Sequence, residues 1–343
     1  MRTLALIILA LTQGYITSAQ QLSGAEKKEI FDNTKKVFAE HYHFKEKVEP
    51  VVHYLDEQWA KGKYASLNTV DSYTKALTDD LRHLTNDAHL NYFIREKEVV
   101  ADEEKQSRPQ LPWGLLNEKF LNNGLTEVKV LPGDIGYIKI QAFGDIEDPL
   151  SGAFHFIANT NALIIDLRGN GGGMLSNYLS SFLLPQKKFH LVTIQWNNRT
   201  DSIFTVEKLK GPRYLDKPVY LLVDKGTFSS AEEFAYDMQA MKRVTIIGEN
   251  TGGGANPGGT IPVSKLTDGS RVDLFVPMAK VTQPITGTNW EAKGVIPEIK
   301  TSSEDALKKA QQLALEYLEK KESNSFIKEQ YGKIKNQLLV NSD

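Results

Sequence analysis

Two stretches of the sequence repeat one order: a run of aliphatic residues, a turn rich in glycine, and then a helix-like pattern. They span residues 162–184 and 218–242. A strand that is apolar at every position is buried on both faces, as in a parallel sheet covered by helices. This order therefore predicts an α/β core, and it places two glycine turns where such cores hold their sites.

Short strand-like and helix-like runs alternate through the core, which we predict to span residues 105–301. The predicted helices are Pro149–Ala158, Met174–Leu184 and Ser230–Lys242. β-Branched and aromatic residues predict strands at Glu127–Leu131, Ile135–Ile140, Ala162–Leu167, Leu191–Trp196, Val219–Val223, Val244–Ile247 and Val272–Val276.

The segments on either side of this core show the sequence periodicity of helices. Apolar residues recur at helical spacing through residues 24–84, after a capping-box pattern at Ser23 and Glu26. We therefore predict an α-helical N-terminal domain over residues 20–104. In residues 302–343 an amphipathic pattern predicts a helix at Ser303–Lys321, followed by a polar tail that should be loosely attached.

The first 19 residues have the pattern of a secretory signal peptide. Arg2 supplies the positive end, Leu4–Leu11 is a short apolar run, and Thr17–Ala19 are small residues before Gln20. A frayed helix is the alternative. A signal predicts an exported protein, periplasmic or extracellular, and no later apolar run is long enough for an integral membrane segment.

Composition removes several classes of function. The formal net charge of −2 gives no signature of nucleic-acid binding. The chain contains no cysteine, which excludes disulfides, thiolate metal sites and a cysteine nucleophile. His41 and His43 lack partners at diagnostic metal-ligand spacing, so we predict neither a metal nor an organic cofactor.

The first glycine turn, Gly169–Gly173, has three readings. Its amides could form an oxyanion hole or a phosphate cradle, or the segment could be only a tight turn. A Walker-type loop would end in Gly-Lys-Ser/Thr, and that ending is absent. A dinucleotide fingerprint would lie on the first strand with different glycine spacing.

The second turn places Ser229 at a helix start, where backbone amides favour an oxyanion. Ser229 and Glu232 also fit a capping box, and this segment alone favours capping over catalysis. A third glycine-rich segment, Ile247–Gly259, could be a substrate lid, although an ordinary loop is the default. His89 lies in a polar turn after a helix and is the candidate base, although a lone histidine is more often structural.

Together, several segments resemble a known family. They are the Asp87–His89 turn and Leu131–Ile138, Asp166–Gly172, Thr227–Glu233, Gly248–Thr251 and Gly294–Pro297. In this order they resemble the carboxy-terminal-processing serine peptidases, in the branch that contains the tricorn core protease and interphotoreceptor retinoid-binding protein.

The resemblance implies a Clp protease/crotonase-like core with Ser229 as nucleophile. It implies oxyanion amides at Gly171, Gly172 and Ser230, with His89 as base and Glu291 as its partner. Another branch of the family uses a lysine base, and Gly254 stands at that position here. The tricorn-like branch has a serine immediately before its histidine, where this chain has Ala88.

The implied activity is hydrolysis of a peptide or protein substrate through an acyl-enzyme. Between His89 and Leu131 the chain is too short for the PDZ domain that the processing enzymes carry. Capture of substrate would then use the helical lobe, the loops or a homo-oligomer. A non-catalytic binder of apolar ligands or peptides is the main alternative, and an acyl-CoA enzyme of the crotonase type is a second.

Overall fold

The computed structural model describes residues 20–95, 121–174 and 176–340. The predicted signal lies outside these residues, as does the predicted boundary near residue 104 between the N-terminal domain and the core. The described residues form two compact units. The first contains the chain up to Thr85, the segment that begins at Leu90, and Thr260–Val276; the second contains Asn86–His89, residues 121–259 and the chain from Pro277 onward.

The described helices and strands alternate through most of the chain. The helices are α1 (Gly24–His41), α2 (Val48–Ala60), α3 (Val70–Thr85), α4 (Glu147–Ile157), α5 (Ser176–Leu183), α6 (Ser230–Ala240), α7 (Ala306–Lys321) and α8 (Ser325–Val340). The strands are β1 (Asn91–Arg95), β2 (Leu125–Leu131), β3 (Ile135–Ile140), β4 (Ala162–Asp166), β5 (His190–Trp196), β6 (Thr200–Phe204), β7 (Val219–Val223), β8 (Thr245–Gly248), β9 (Gly258–Lys265), β10 (Arg271–Pro277), β11 (Ala279–Thr282) and β12 (Ile299–Lys300).

The first unit combines three helices with a small sheet. Helix α1 begins at the predicted capping box, in which the Glu26 amide donates to Ser23 Oγ over 3.2 Å. The sheet has the strand order β1–β10–β9. This unit therefore draws on two distant parts of the chain, whereas a single helical stretch over residues 20–104 was expected.

A six-stranded sheet forms the centre of the second unit, in the order β12–β8–β7–β4–β3–β2. Its neighbours pair in parallel except for β2 and β3. Every residue of β4 and β7 is buried, as the aliphatic runs predict. Helices α4, α5 and α6 contribute to the core cluster on one face, and α7 packs on the other. The mixed α/β prediction is confirmed.

The end of the chain differs from its prediction. Residues 325–340 form helix α8, which packs on α7 through Tyr331, Ile334 and Leu338. Lys335 also forms a 2.6 Å ion pair with Glu319 of α7. The expectation of a loosely attached tail was wrong, because three apolar side chains among many polar ones are enough to dock a helix on an existing partner.

Across the described residues, none of the helices is both long enough and apolar enough for a bilayer crossing.

Candidate active site

The turn between β7 and α6 holds Ser229 in a strained conformation. Thr227 fixes the turn, because its hydroxyl donates to Leu167 O over 2.8 Å and accepts from the Asp224 amide over 3.0 Å. Ser229 then has φ 57° and ψ −125°. Such a backbone conformation costs a residue with a side chain about 1–3 kcal/mol. A strained serine between a strand and a helix is the arrangement that exposes a nucleophilic hydroxyl.

His89 lies beside this hydroxyl. Its Nε2 is 3.1 Å from Ser229 Oγ, within the range that proton transfer requires. The Asp87–His89 turn is closed by Asp87 Oδ1, which accepts from the His89 amide over 3.2 Å. The ring of Phe228 packs on the imidazole, with 4.7 Å between centroids. The structure thus brings together two residues separated by 140 positions in the sequence.

Glu291 approaches His89 from another segment. Its Oε2 accepts from the amides of Ala255, over 2.7 Å, and Asn256, over 3.1 Å. Its Oε1 is buried and has no hydrogen-bond partner among the described residues. Burial, followed by the nearby charge of Asp87, raises the pKa of Glu291 to about 8. The Glu291 carboxyl group therefore holds its proton more tightly than an ordinary glutamate does, although the two backbone amides favour its charged form.

Asp87 is a site residue to which the sequence analysis gave no role. It is only 1% exposed. One oxygen of Asp87, one ring nitrogen of His89 and one oxygen of Glu291 all lie within 4.8 Å of one another. Three such donor atoms at this spacing could also hold a metal ion. The sequence signal that could have found Asp87 is its place two residues before the candidate base.

The glycine turn after β4 packs against the nucleophile. Asn170 supports the turn, since its Nδ2 donates to Ile140 O over 3.0 Å and its Oδ1 accepts from the Gly172 amide over 2.8 Å. The Gly172 amide is therefore already engaged by the Asn170 side chain. A Cβ added to Gly172 would lie 2.8 Å from Cβ of Ser229, so the turn is in close contact with the nucleophile. Within the described chain the amides of Gly171 and Ser230 have no acceptor.

The third glycine-rich segment is anchored. Glu232 accepts from the amides of Gly253, over 2.6 Å, and Gly254, over 2.8 Å, and also from the amide of Ser229, over 2.9 Å. The indole of Trp290 donates to Gly254 O over 2.8 Å. Burial raises the pKa of Glu232. The capping-box contact of Glu232 with Ser229 and the contact of Ser229 with His89 therefore coexist.

Gly254, where the lysine-using branch has its base, has no room for a side chain. A Cβ there would overlap the ring of Phe228 and lie 2.8 Å from Cε1 of His89. The space that a lysine would need is filled by the histidine and the ring that packs on it.

Comparison with known families follows this geometry. Residues 134–301 match the family model described as "Peptidase family S41". Residues 24–123 match the model described as "N-terminal domain of Peptidase_S41 in eukaryotic IRBP". This chain belongs to peptidase family S41. Both matches agree with the family resemblance of the sequence motifs.

Individual relatives of this S41-family chain are distant. The carboxy-terminal processing protease CtpA of Bacillus subtilis is 31% identical over 180 residues, which cover 51% of this chain and 36% of CtpA. The tricorn protease of Thermoplasma volcanium is 27% identical over 164 residues, 46% of this chain and 14% of that protein. The chain thus spans only about a third of CtpA.

A solved structure from Parabacteroides merdae shares the fold. It aligns with a TM-score of 0.54 at 20% identity and covers 82% of this chain and 92% of that one.

Proposed function

We propose that this S41-family chain is a serine peptidase that hydrolyses peptide bonds through an acyl-enzyme on Ser229. The observation that carries the proposal is the 3.1 Å contact between His89 Nε2 and the hydroxyl of a serine held at φ 57°. Neither helix capping nor packing requires a histidine at that point. Membership of a peptidase family supports the same conclusion.

In the first step, His89 Nε2 accepts the hydroxyl proton while Ser229 Oγ forms a bond to the substrate carbonyl carbon. The negative charge moves to the carbonyl oxygen, where the Ser230 amide, the Gly171 amide and the α6 dipole would stabilise it. The protonated His89 then gives its proton to the leaving amine as the peptide bond breaks. A water molecule then attacks the acyl-enzyme by the same steps, with His89 again accepting and returning the proton, and the acyl group is released from Ser229.

Peptides or proteins are the proposed substrates, because the names of relatives such as CtpA describe proteases. Export is also part of the proposal and rests on the signal-like residues 1–19. N-terminal sequencing of the protein recovered outside the cytoplasm should then begin at Gln20. A recovered chain that still begins at Met1 would contradict removal of a signal.

The test of the catalytic proposal is covalent labelling with a fluorophosphonate probe, followed by mass spectrometry and digestion of a peptide library. Ser229 should carry the label, and Ser229→Ala should abolish labelling and digestion. Ser230→Ala is the matched control, because the mechanism uses only its backbone amide; it should keep both. Retained digestion in Ser229→Ala would remove Ser229 from the mechanism.

A further inference from the structure

Asp224 follows directly after β7, and its side chain bonds to two turns of the site. Its Oδ1 accepts from the amide of Gly226, over 2.9 Å, within the turn between β7 and α6. The same oxygen accepts from the amide of Gly169, over 2.9 Å, in the glycine turn after β4. One carboxylate oxygen therefore joins the turn that holds Ser229 to the turn that holds the Gly171 amide.

The two turns touch at this point. A Cβ added to Gly226 would lie 3.0 Å from Cα of Gly169 and 3.2 Å from Oδ1 of Asp224. Two further hydrogen bonds cross between the turns, from the Thr227 hydroxyl to a backbone oxygen and from the Phe228 amide to another. Of these three bridges, that of Asp224 uses a carboxylate, and an ionised acceptor binds amides more strongly than a neutral oxygen does.

The second oxygen of Asp224 is also bonded. Oδ2 accepts from the hydroxyl of Ser303, over 2.9 Å, in the segment that follows β12. The carbonyl oxygen of Ser303 accepts in turn from the guanidinium of Arg168, which lies in the glycine turn after β4. Both oxygens of Asp224 are therefore held, and its side chain cannot rotate without breaking at least one of these bonds.

We propose that Asp224 is a positioning residue that sets the distance between the Ser229 hydroxyl and the Gly171 amide. This inference rests on the proposed function, in which these two groups meet the carbonyl carbon and the carbonyl oxygen of the substrate. Oxyanion donors act within about 2.7–3.1 Å of the developing charge. A misplacement of about 1 Å can lower a rate by about 100-fold. A bridge between the two turns therefore controls the rate without touching substrate.

The expected signature of such a residue is a fall in kcat. The oxyanion exists only in the transition state, so a misplaced donor lowers kcat while KM changes little. A merely structural defect would instead lower the fraction of active molecules and leave kcat per active molecule unchanged. Labelling of Ser229 by a fluorophosphonate, carried to completion, counts the active molecules.

The kinetic test compares Asp224→Ala with Asp224→Asn on a chromogenic peptide at pH 7. Asp224→Ala should lower kcat per labelled site by about 10-fold or more, with KM within about threefold of the parent. Asparagine keeps an oxygen for the Gly169 and Gly226 amides, so Asp224→Asn should retain at least about a third of the parental kcat. Asp268→Ala is the matched control, because Asp268 also accepts an amide two residues on, that of Ser270, over 2.8 Å, but joins no second turn of the site. It should keep the parental kcat.

Gly226→Ala tests the same spacing from the opposite side and applies even if Asp224→Ala does not fold. Its Cβ should press on the Gly169 backbone, move the two turns apart and lower kcat severalfold with KM little changed. Gly152→Ala is its control, since a Cβ there would meet no atom within 4 Å.

A kcat within about twofold of the parent in Asp224→Ala, or in Gly226→Ala if the former does not fold, would overturn the positioning role. Equal losses in Asp224→Asn and Asp224→Ala would also overturn it, because the amide bridge would then not be the cause. In either case an active parent leaves the proposed peptidase function standing. A parent that neither labels at Ser229 nor cleaves peptides would remove the peptidase function, and the role of Asp224 with it.

Discussion

The two strand-to-helix junctions of the core both need positive φ angles, but they use different residue types for them. Both leave a buried strand through a tight turn, and they are joined by the Phe228 amide, which donates to Asn170 O over 2.9 Å. In the junction after β4, the positive φ angles belong to glycines such as Gly172, at φ 97°. In the junction after β7, a residue with a side chain, Ser229, has a positive φ angle. Glycine serves where only backbone is needed, and strain is tolerated where a hydroxyl is needed.

The sharpest test of this contrast replaces Ser229 by alanine and by glycine. Both should lose on the order of 10⁴-fold or more in kcat/KM, because the nucleophile is gone. Ser229→Gly should also melt at a higher temperature than Ser229→Ala, since glycine adopts φ 57° without strain. Thermal melts alongside peptide hydrolysis measure both effects. A glycine variant that melts at a lower temperature than the alanine variant would contradict the claim that the backbone of residue 229 is strained.

The other junction is tested by adding one methyl group. Gly172→Ala should lower kcat/KM by about 100-fold or more, because its Cβ would lie 2.8 Å from Cβ of Ser229 at a φ that side chains avoid. Gly171→Ala is the matched control, since its Cβ would meet no atom within 4 Å. The rate of fluorophosphonate labelling measures the difference. Equal effects of the two changes would contradict the importance of the close contact between Gly172 and Ser229.

The helices that follow the two junctions are linked by a half-buried acid, Glu233. Ser176 of α5 donates to Glu233 of α6 over 3.0 Å, and burial raises the pKa of Glu233 to about 7. The folded state therefore binds this proton more tightly than an ordinary glutamate, whose pKa is 4.5. The stabilisation is complete below pH 4.5 and is lost as the pH rises towards 7.

Glu233→Gln should consequently raise the melting temperature by a few degrees at pH 8 and leave it unchanged at pH 4.5. Glutamine keeps an oxygen for the Ser176 hydroxyl but carries no charge. The exposed Glu304→Gln is the control and should change neither melt. A gain at pH 4.5 as large as that at pH 8 would mean that the ionisation of Glu233 is not the cause.

The smallest effect is expected at Lys225, which lies in the turn before Ser229 and is exposed. Lys225→Ala should keep kcat/KM within about twofold, because the proposed mechanism uses a histidine base. A loss as large as that of Ser229→Ala would instead indicate a lysine base.

Local patterns predicted five of the six strands of the six-stranded sheet, and β12 was not among the predicted strands. The bounds of β3 and β7 match their predictions, because alternation or continuous burial is visible within a few residues. The sheet of β1, β9 and β10 was not foreseen as part of the helical unit. It joins residues near 92 to residues near 274, and only the tertiary fold makes that pairing.

The site was predictable in outline only. Ser229 stood out because it follows a buried strand and opens a helix, and the family resemblance pointed to His89 and Glu291. The strain at Ser229, the engaged amide of Gly172 and the carboxyl pair of Asp87 with Glu291 were not predictable, because they depend on φ angles, hydrogen bonds and burial. A capping box and a catalytic serine share one sequence pattern, and only the distance to His89 separates them.

The filled space at Gly254 has an evolutionary consequence. A lysine there would collide with both Phe228 and His89, so a single substitution cannot exchange one base for the other. An ancestor that changed bases would have needed a smaller residue at position 228, the loss of the histidine and the gain of the lysine at the same time. Otherwise it would have passed through an inactive form. Once a lineage used the histidine base, the packing around residue 254 would then prevent a return to the lysine base by substitution at that position alone.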